Sequence, residues 1–199
     1  MKSIIVLCGG YSKRMGQDKG LLFFNNKPLI VNVLETACEY AEEVILVLRN
    51  LEQRNQYENI LRKEDFYIKI KICTDELEGQ GPLMGIFTGL KCISSNEALV
   101  IPCDSPFILQ TFMKNIYQYY NLIYDAVVPE WPDGKLEPLH AIYNKRILNT
   151  IHQLLKGDKR DVQSLLLELD VRYIPVYLLD QSSRAFLNLN YPEDVDEMK

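Results

Sequence analysis

The sequence predicts an α/β fold: a three-layer α/β/α domain around a largely parallel, Rossmann-like sheet. Three observations carry this. Short apolar runs alternate with amphipathic stretches along most of the chain. The runs are continuous rather than alternating, as in strands covered on both faces. The first of them, Ile4-Ile5-Val6-Leu7-Cys8, ends in Gly9-Gly10, the kind of punctuation that follows a buried strand and precedes a binding loop.

The elements follow in order. Residues 3–8 read as a buried strand. Residues 28–41 read as a helix, because Leu29, Ile30, Val33, Leu34, Ala37, Cys38 and Ala41 share one face and Pro28 can be tolerated in a first turn. Residues 44–48 form a second strand and 52–62 a more polar helix. Residues 68–73 form a third strand, with Lys69 and Lys71 pointing outward. A helix over 83–93 follows Gly81-Pro82. A fourth strand over 98–101 runs into Pro102-Cys103-Asp104-Ser105-Pro106, then a helix over 107–120 and a strand over 126–128. The last third is less regular. It carries a strand near 140–143, helices over 146–155 and 162–169, a strand over 173–176, an extended piece over 185–189 and a terminal helix from Pro192. There are no repeats or low-complexity linkers, so one domain, 1–199, is expected.

The composition is globular, with 47% hydrophobic and 25% charged residues. No run approaches the ~20 apolar residues of a membrane span, and no signal-like leader is visible. The net charge is −5, without a basic tract, which argues against nucleic acid as a partner. Five scattered cysteines, Cys8, Cys38, Cys73, Cys92 and Cys103, lack CxxC spacing and suit reduced, buried thiols in a cytoplasmic protein.

In parallel α/β sheets, ligands bind at the carboxyl ends of the strands. That rule brings four loops to one rim. The first, following Leu7 and Cys8, holds Gly9, Gly10, Arg14, Asp18 and Lys19. Glycines there let backbone N–H groups approach an anion, Lys19 adds a mobile charge, and Arg14 can clamp a phosphate. Neither the P-loop pattern nor G-x-G-x-x-G is present. The second loop holds Arg49 and Asn50, and the third Asp75 and Gly79 to Gly81. The fourth holds Asp104, bracketed by prolines, where a lone rigid carboxylate suits Mg²⁺ beside phosphates or could cap the next helix. His140 reads as a core histidine and His152 as a surface one. No Ser-His-Asp or Cys-His pair and no zinc spacing is evident, so the site would work without a protein nucleophile or base. Nucleotidyl transfer to an ionised phosphate needs neither.

The stretches LCGGYSKRMGQDKGLL (7–22), GPLMGI (81–86), PCDSPF (102–107), EPLHAIY (137–143) and NLNYPEDV (188–195) occur in the order seen in molybdenum cofactor guanylyltransferases, the MobA-like nucleotidyltransferases. The chain resembles that family over essentially its whole length. The resemblance implies transfer of GMP from GTP to molybdenum-molybdopterin, with release of pyrophosphate. It implies that Leu7, Cys8, Gly9, Gly10, Lys19, Asp75 and Asp104 bind GTP, with Arg14, Lys19 and Asp104 catalytic. It implies that Asp104 holds Mg²⁺, the expected cofactor, and that Asn188 and Asn190 face molybdopterin. Molybdoenzyme chaperones or cofactor-insertion proteins are the partners it suggests, and a cytoplasmic location. Cys8 replaces the family's usual alanine and Tyr191 a frequent threonine. The family's asparagine near the nucleotide could correspond to Val47, Arg49 or Asn50. Two other readings stand beside this one: a cytidylyl- or sugar-phosphate nucleotidyltransferase of the same fold, or a nucleotide-binding regulator without turnover.

Overall fold

The computed structural model describes residues 1–9 and 18–189. The expectations for Gly10, Arg14, Asn190, Tyr191 and the helix from Pro192 lie outside the described residues.

Strand β1 (Ser3–Leu7) is the axis of the molecule. Ile4, Ile5 and Val6 are fully buried on both faces, which explains their unbroken apolar run. A short hairpin follows, β2 (Phe23–Phe24) and β3 (Lys27–Pro28), and delivers the chain into α1 (Leu29–Tyr40). The predicted apolar face of α1 is the buried one. Then come β4 (Glu43–Leu48), α2 (Leu51–Leu61), β5 (Ile70–Thr74), α3 (Gly81–Cys92) and β6 (Glu97–Pro102). The C-terminal part adds α4 (Gln110–Tyr119), β7 (Ala126–Glu130), β8 (Ile142–Asn144), α5 (Leu148–Lys156), α6 (Val162–Leu166), β9 (Val171–Pro175) and α7 (Val176–Leu179).

Seven strands make the main sheet in the order β5-β4-β1-β6-β8-β7-β9. β8 runs antiparallel to both its neighbours; the other pairings are parallel. Alternate strand residues feed two cores. Ile4, Val6, Leu46 and Ile101 pack with α1, α4 and Tyr57 of α2. Ile5, Val47, Ala98 and Val100 pack with α3, α5 and α6 on the other face. This is the expected three-layer α/β/α arrangement. Helix α3 lies close on β1 because it has no side chains at the contact: a Cβ on Gly89 would stand 2.5 Å from Ile5 Cγ2, and one on Gly85 3.1 Å from Leu7 Cδ2.

Several expectations shift. The helix expected from 107 begins at Gln110, because Phe107 packs edge-on against Phe24 with ring centroids 5.4 Å apart, and Leu109 is still extended. Val176 opens α7 instead of ending β9. The β2–β3 hairpin was not foreseen, although its turn, Asn25-Asn26 with φ of 51° and 64°, uses the residue type that best tolerates positive φ after glycine. Cys73 of β5 and Cys92 of α3 form a disulfide, so the expectation of reduced thiols holds only for Cys8, Cys38 and Cys103, all buried.

Candidate functional site

Strand register brings the loops together. Leu7 stands beside Val47 and Pro102, and Leu48 beside Thr74, so β1, β4, β5 and β6 end on one rim. At that rim lies a cleft of about 590 Å³ lined by Leu7, Cys8, Gly9, Asp18, Lys19, Asp75, Asp104 and Asn188, together with the Gly79–Pro82 turn and residues 137–140. Every predicted site residue within the described chain therefore lines one cavity. Arg49 and Asn50 lie to its side, in a second depression that shares Asp75.

Lys19 and Asp104 form an ion pair in the cleft. Lys19 Nζ is 3.1 Å from Asp104 Oδ2, and both side chains are partly screened, at 26% and 15% exposure. Asp104 does not cap α4, whose N-cap is Leu109. Its backbone is held by β6, and Cys103 N–H donates to Leu7 C=O at 3.1 Å. The carboxylate thus stands at a fixed place with one oxygen turned to a lysine.

Lys19 is aimed by its neighbour. The Asp18 carboxylate accepts from Gly20 N–H at 3.2 Å, from the Tyr57 hydroxyl at 2.6 Å and from Gln53 Nε2, and Arg49 Nη2 lies 4.0 Å away. Gln53 ties the second loop in as well: its Nε2 donates to Cys8 C=O at 2.8 Å, and its Oε1 accepts from Arg49 N–H at 2.7 Å. Asn50 caps α2, its side chain accepting from Gln53 N–H at 2.9 Å. Gly20 is small because it must be: a Cβ there would fall 2.3 Å from the Tyr57 hydroxyl oxygen. Gln53 and Tyr57 were missed in the sequence. The one signal was their i, i+4 spacing on an otherwise polar helix.

Asp75 forms the opposite wall. Its Oδ1 accepts from Thr88 Oγ1 of α3 at 2.7 Å, and a Cβ on Gly9 would touch its Oδ2 at 3.3 Å. Burial pushes its carboxyl up to about 6, opposed by the Thr88 hydrogen bond. Burial also raises the Cys8 thiol, with Cys103 beside it, so the cysteine that replaces alanine is a neutral wall and not a nucleophile. Val47 is fully buried and offers its C=O to Cys8 N–H at 2.9 Å, so of the three residues left open it presents no side chain to the cleft.

On the far side, Asn188 Oδ1 accepts from Ser105 Oγ, whose other neighbour is His140 Nε2 at 3.1 Å. His140 is the buried histidine the sequence suggests; burial lowers it to about 4, so it is neutral near pH 7. His152 stacks on Phe87 away from the cleft.

For a divalent ion, the fitting donor is Asp104. Mg²⁺ commonly takes one or two carboxylates and completes its shell with phosphate oxygens and water, and the Asp104 carboxylate at the cleft fits that pattern. Among the described residues there is no group of three or more His, Cys, Asp or Glu suited to a metal.

A family model for the MobA-like NTP transferase domain matches residues 4–172. A Methanothermobacter thermautotrophicus protein named "Probable molybdenum cofactor guanylyltransferase" is 39% identical over 198 residues, covering 98% of both chains. One of the same name from Methanosarcina mazei is 33% identical over 202 residues, covering 99% of this chain and 89% of that one. The crystal structure of molybdopterin-guanine dinucleotide biosynthesis protein A from Archaeoglobus fulgidus superposes with a TM-score of 0.82 at 24% identity, covering 98% of this chain and 95% of that one, and so shares the fold. With the cleft, the sheet order and these full-length relatives together, the chain belongs to the molybdenum cofactor guanylyltransferases of the MobA-like NTP transferase family.

Proposed function

We propose that this protein is a nucleotidyltransferase that moves GMP from GTP to molybdenum-molybdopterin, releasing pyrophosphate. The observation that carries the reading is the Lys19–Asp104 pair, from the connections that follow β1 and β6, in the same cleft as Asp75. The full-length relatives supply the substrates. The whole chain, 1–199, acts as one nucleotidyltransferase domain in this reading.

The terminal phosphate of molybdopterin is already ionised at neutral pH, so its oxygen attacks the α-phosphorus of GTP without a protein base. The bond from that phosphorus to the pyrophosphate oxygen breaks, and the charge leaves on pyrophosphate. Catalysis is then positioning and charge neutralisation. Lys19 and Arg14 hold phosphate oxygens, and the backbone of Leu7, Cys8, Gly9 and Gly10 approaches the nucleotide. Asp75 binds GTP as an acceptor for N–H groups. Asn188 and Asn190 hold the acceptor substrate. The family points to a divalent metal, and Mg²⁺ on Asp104 would neutralise phosphate charge when bound. Molybdoenzyme chaperones or cofactor-insertion proteins are the proposed recipients of the product.

Calorimetric titration with GTP, CTP, UTP and ATP, each with Mg²⁺, tests the reading. Selective GTP binding that weakens in Asp104→Ala is expected. Preference for CTP or UTP would overturn the guanylyl assignment and favour a related nucleotidyltransferase.

A further inference from the structure

A further carboxylate lines the cleft. It belongs to Glu137, whose side chain is 12% exposed. The chain around it fixes its place. Glu137 N–H donates to Pro129 C=O at 3.0 Å, and Glu137 C=O accepts from His140 N–H at 3.0 Å. The turn before it is tight: Trp131 N–H donates to Lys135 C=O at 2.8 Å, and Gly134 has a φ of 82°. The residue after it is tied to the core, because fully buried Tyr143 donates its hydroxyl to Pro138 C=O at 2.8 Å.

The two oxygens of this carboxylate differ. Oε1 accepts from the Trp131 indole N–H at 2.7 Å and from Lys135 Nζ at 2.8 Å. No described residue donates a hydrogen bond to Oε2; His140 Nδ1 lies 3.9 Å from it, beyond hydrogen-bond distance. A carboxylate only accepts, with about two lone-pair sites on each oxygen. Both sites of Oε1 are used, so Oε2 is the oxygen with capacity for a pair of donors. Lys135 already matches the charge, which lets the group face a neutral partner. The His140 ring stands between Glu137 and Ser105: its Nδ1 is on the Glu137 side, and its Nε2 is 3.1 Å from Ser105 Oγ, which in turn contacts Asn188. Glu137 is therefore on the side of the cleft proposed for the second substrate.

We infer that Glu137, through Oε2, reads the pyrimidine edge of the pterin in the second substrate, accepting from its 2-amino group and the adjacent ring N–H. This rests on the guanylyl-transfer reading above, with Asn188 on the acceptor side. Guanine presents the same pair of donors, so in this reading the cleft keeps one carboxylate for each ring, Asp75 for the nucleotide and Glu137 for the pterin. Trp131 and Lys135 are positioning residues: by holding Oε1 they leave Oε2 for the ring.

The test is steady-state GMP transfer with GTP–Mg²⁺ and molybdenum-molybdopterin, varying each in turn, for wild type and Glu137→Gln, beside a thermal melt. Glutamine has the same shape. Its amide oxygen serves Trp131 and Lys135, and an NH₂ donor then replaces Oε2. The KM for molybdenum-molybdopterin should rise roughly ten- to a hundredfold, as for lost hydrogen bonds to a charged group, with kcat and the KM for GTP close to wild type. Free pterin and lumazine, which carries an oxygen in place of the 2-amino group, are then compared at saturating GTP–Mg²⁺ as inhibitors competing with molybdenum-molybdopterin. The wild type should favour pterin by roughly tenfold or more, and in Glu137→Gln that preference should vanish or reverse, which a purely structural role would not produce. An unchanged KM for molybdenum-molybdopterin, equal rises in both KM values, a pterin preference kept by the variant, or a wild type that does not favour pterin would each overturn the inference. Should Glu137→Gln fail to fold, Trp131→Phe, which removes the indole donor from Oε1, takes its place; it should raise the same KM alone, by about fivefold, and no change would overturn the inference. A wild type that forms no guanine dinucleotide would instead overturn the functional reading and the inference with it.

Discussion

The two sides of the cleft are built from different chemistry. On the side proposed for the nucleotide, Asp18 gathers Tyr57, Gln53 and Gly20 around a carboxylate, and Lys19 faces Asp104. On the side proposed for the acceptor, Asn188, Ser105 and His140 lie in hydrogen-bonding contact beside an aromatic cluster. The difference fits the proposed roles of the two sides. A triphosphate is held by opposing charge, and charge-assisted hydrogen bonds are the stronger kind. The pterin part of the acceptor carries no such charge, and a buried neutral network suits it without an ion to desolvate. Substitutions on the two sides should therefore fail differently.

The largest effect is expected at Asp104. Asp104→Ala should lower kcat by 10²–10³, about 3–4 kcal/mol, while the melting temperature changes little, because the residue caps no helix. Transfer kinetics beside a thermal melt check this, and normal turnover would remove Asp104 from the mechanism.

Next comes Tyr57→Phe. It deletes the 2.6 Å bond to the Asp18 carboxylate inside the core. A hydrogen bond to a charged group contributes about 1.5–3 kcal/mol, and for a chain of this size that lowers the melting temperature by roughly 3–12 °C. The KM for GTP should rise while the KM for the acceptor stays put. Parallel changes in both would erase the distinction between the two sides.

The smallest effect on stability concerns Asp75 and has the reverse sign. Its carboxyl titrates near 6 in the fold against an ordinary 3.8. Between about pH 4 and 6 the folded state holds the extra proton, so stability falls as pH rises through that window and stays lower above it. Asp75→Asn should therefore raise the melting temperature above pH 6, by about 2–4 °C for ~1 kcal/mol after screening by solvent. The gain should vanish below pH 4. GTP binding should be lost at every pH. Melts across pH 4–8 with matched titrations of GTP measure both, and a destabilised variant at pH 8 would contradict the burial argument.

The frame was legible in the sequence for a simple reason. β1 and α1 are covered by apolar neighbours, so their patterns are set by burial alone: a continuous run in Ile4 to Val6 and one apolar face from Leu29 to Cys38. The rim was legible too, since parallel strands bring Gly9, Asp75 and Asp104 to one side. What stayed hidden was support supplied by residues far apart. Gln53 and Tyr57 look like ordinary members of a polar helix until α2 packs them under Asp18, 35 and 39 positions away in sequence. Ser105 and His140 are likewise 35 positions apart, and only the antiparallel insertion of β8 beside β6 brings them together. The hairpin was overlooked although Asn25-Asn26 signals it, because the apolar pair Phe23-Phe24 resembles core; Phe23 is in fact 65% exposed. Cys73 and Cys92 showed no motif, and their pairing depends on how α3 lies across β5.

The most direct measurement is single-turnover conversion of GTP and molybdenum-molybdopterin, with Mg²⁺, to pyrophosphate and a guanine dinucleotide product, resolved by chromatography for the wild type and Asp104→Ala. The account predicts equimolar pyrophosphate and dinucleotide from the wild type with GTP, none with CTP, and a loss of at least 10² in rate for the variant. Product formed from CTP in place of GTP, or at the wild-type rate by Asp104→Ala, would contradict it.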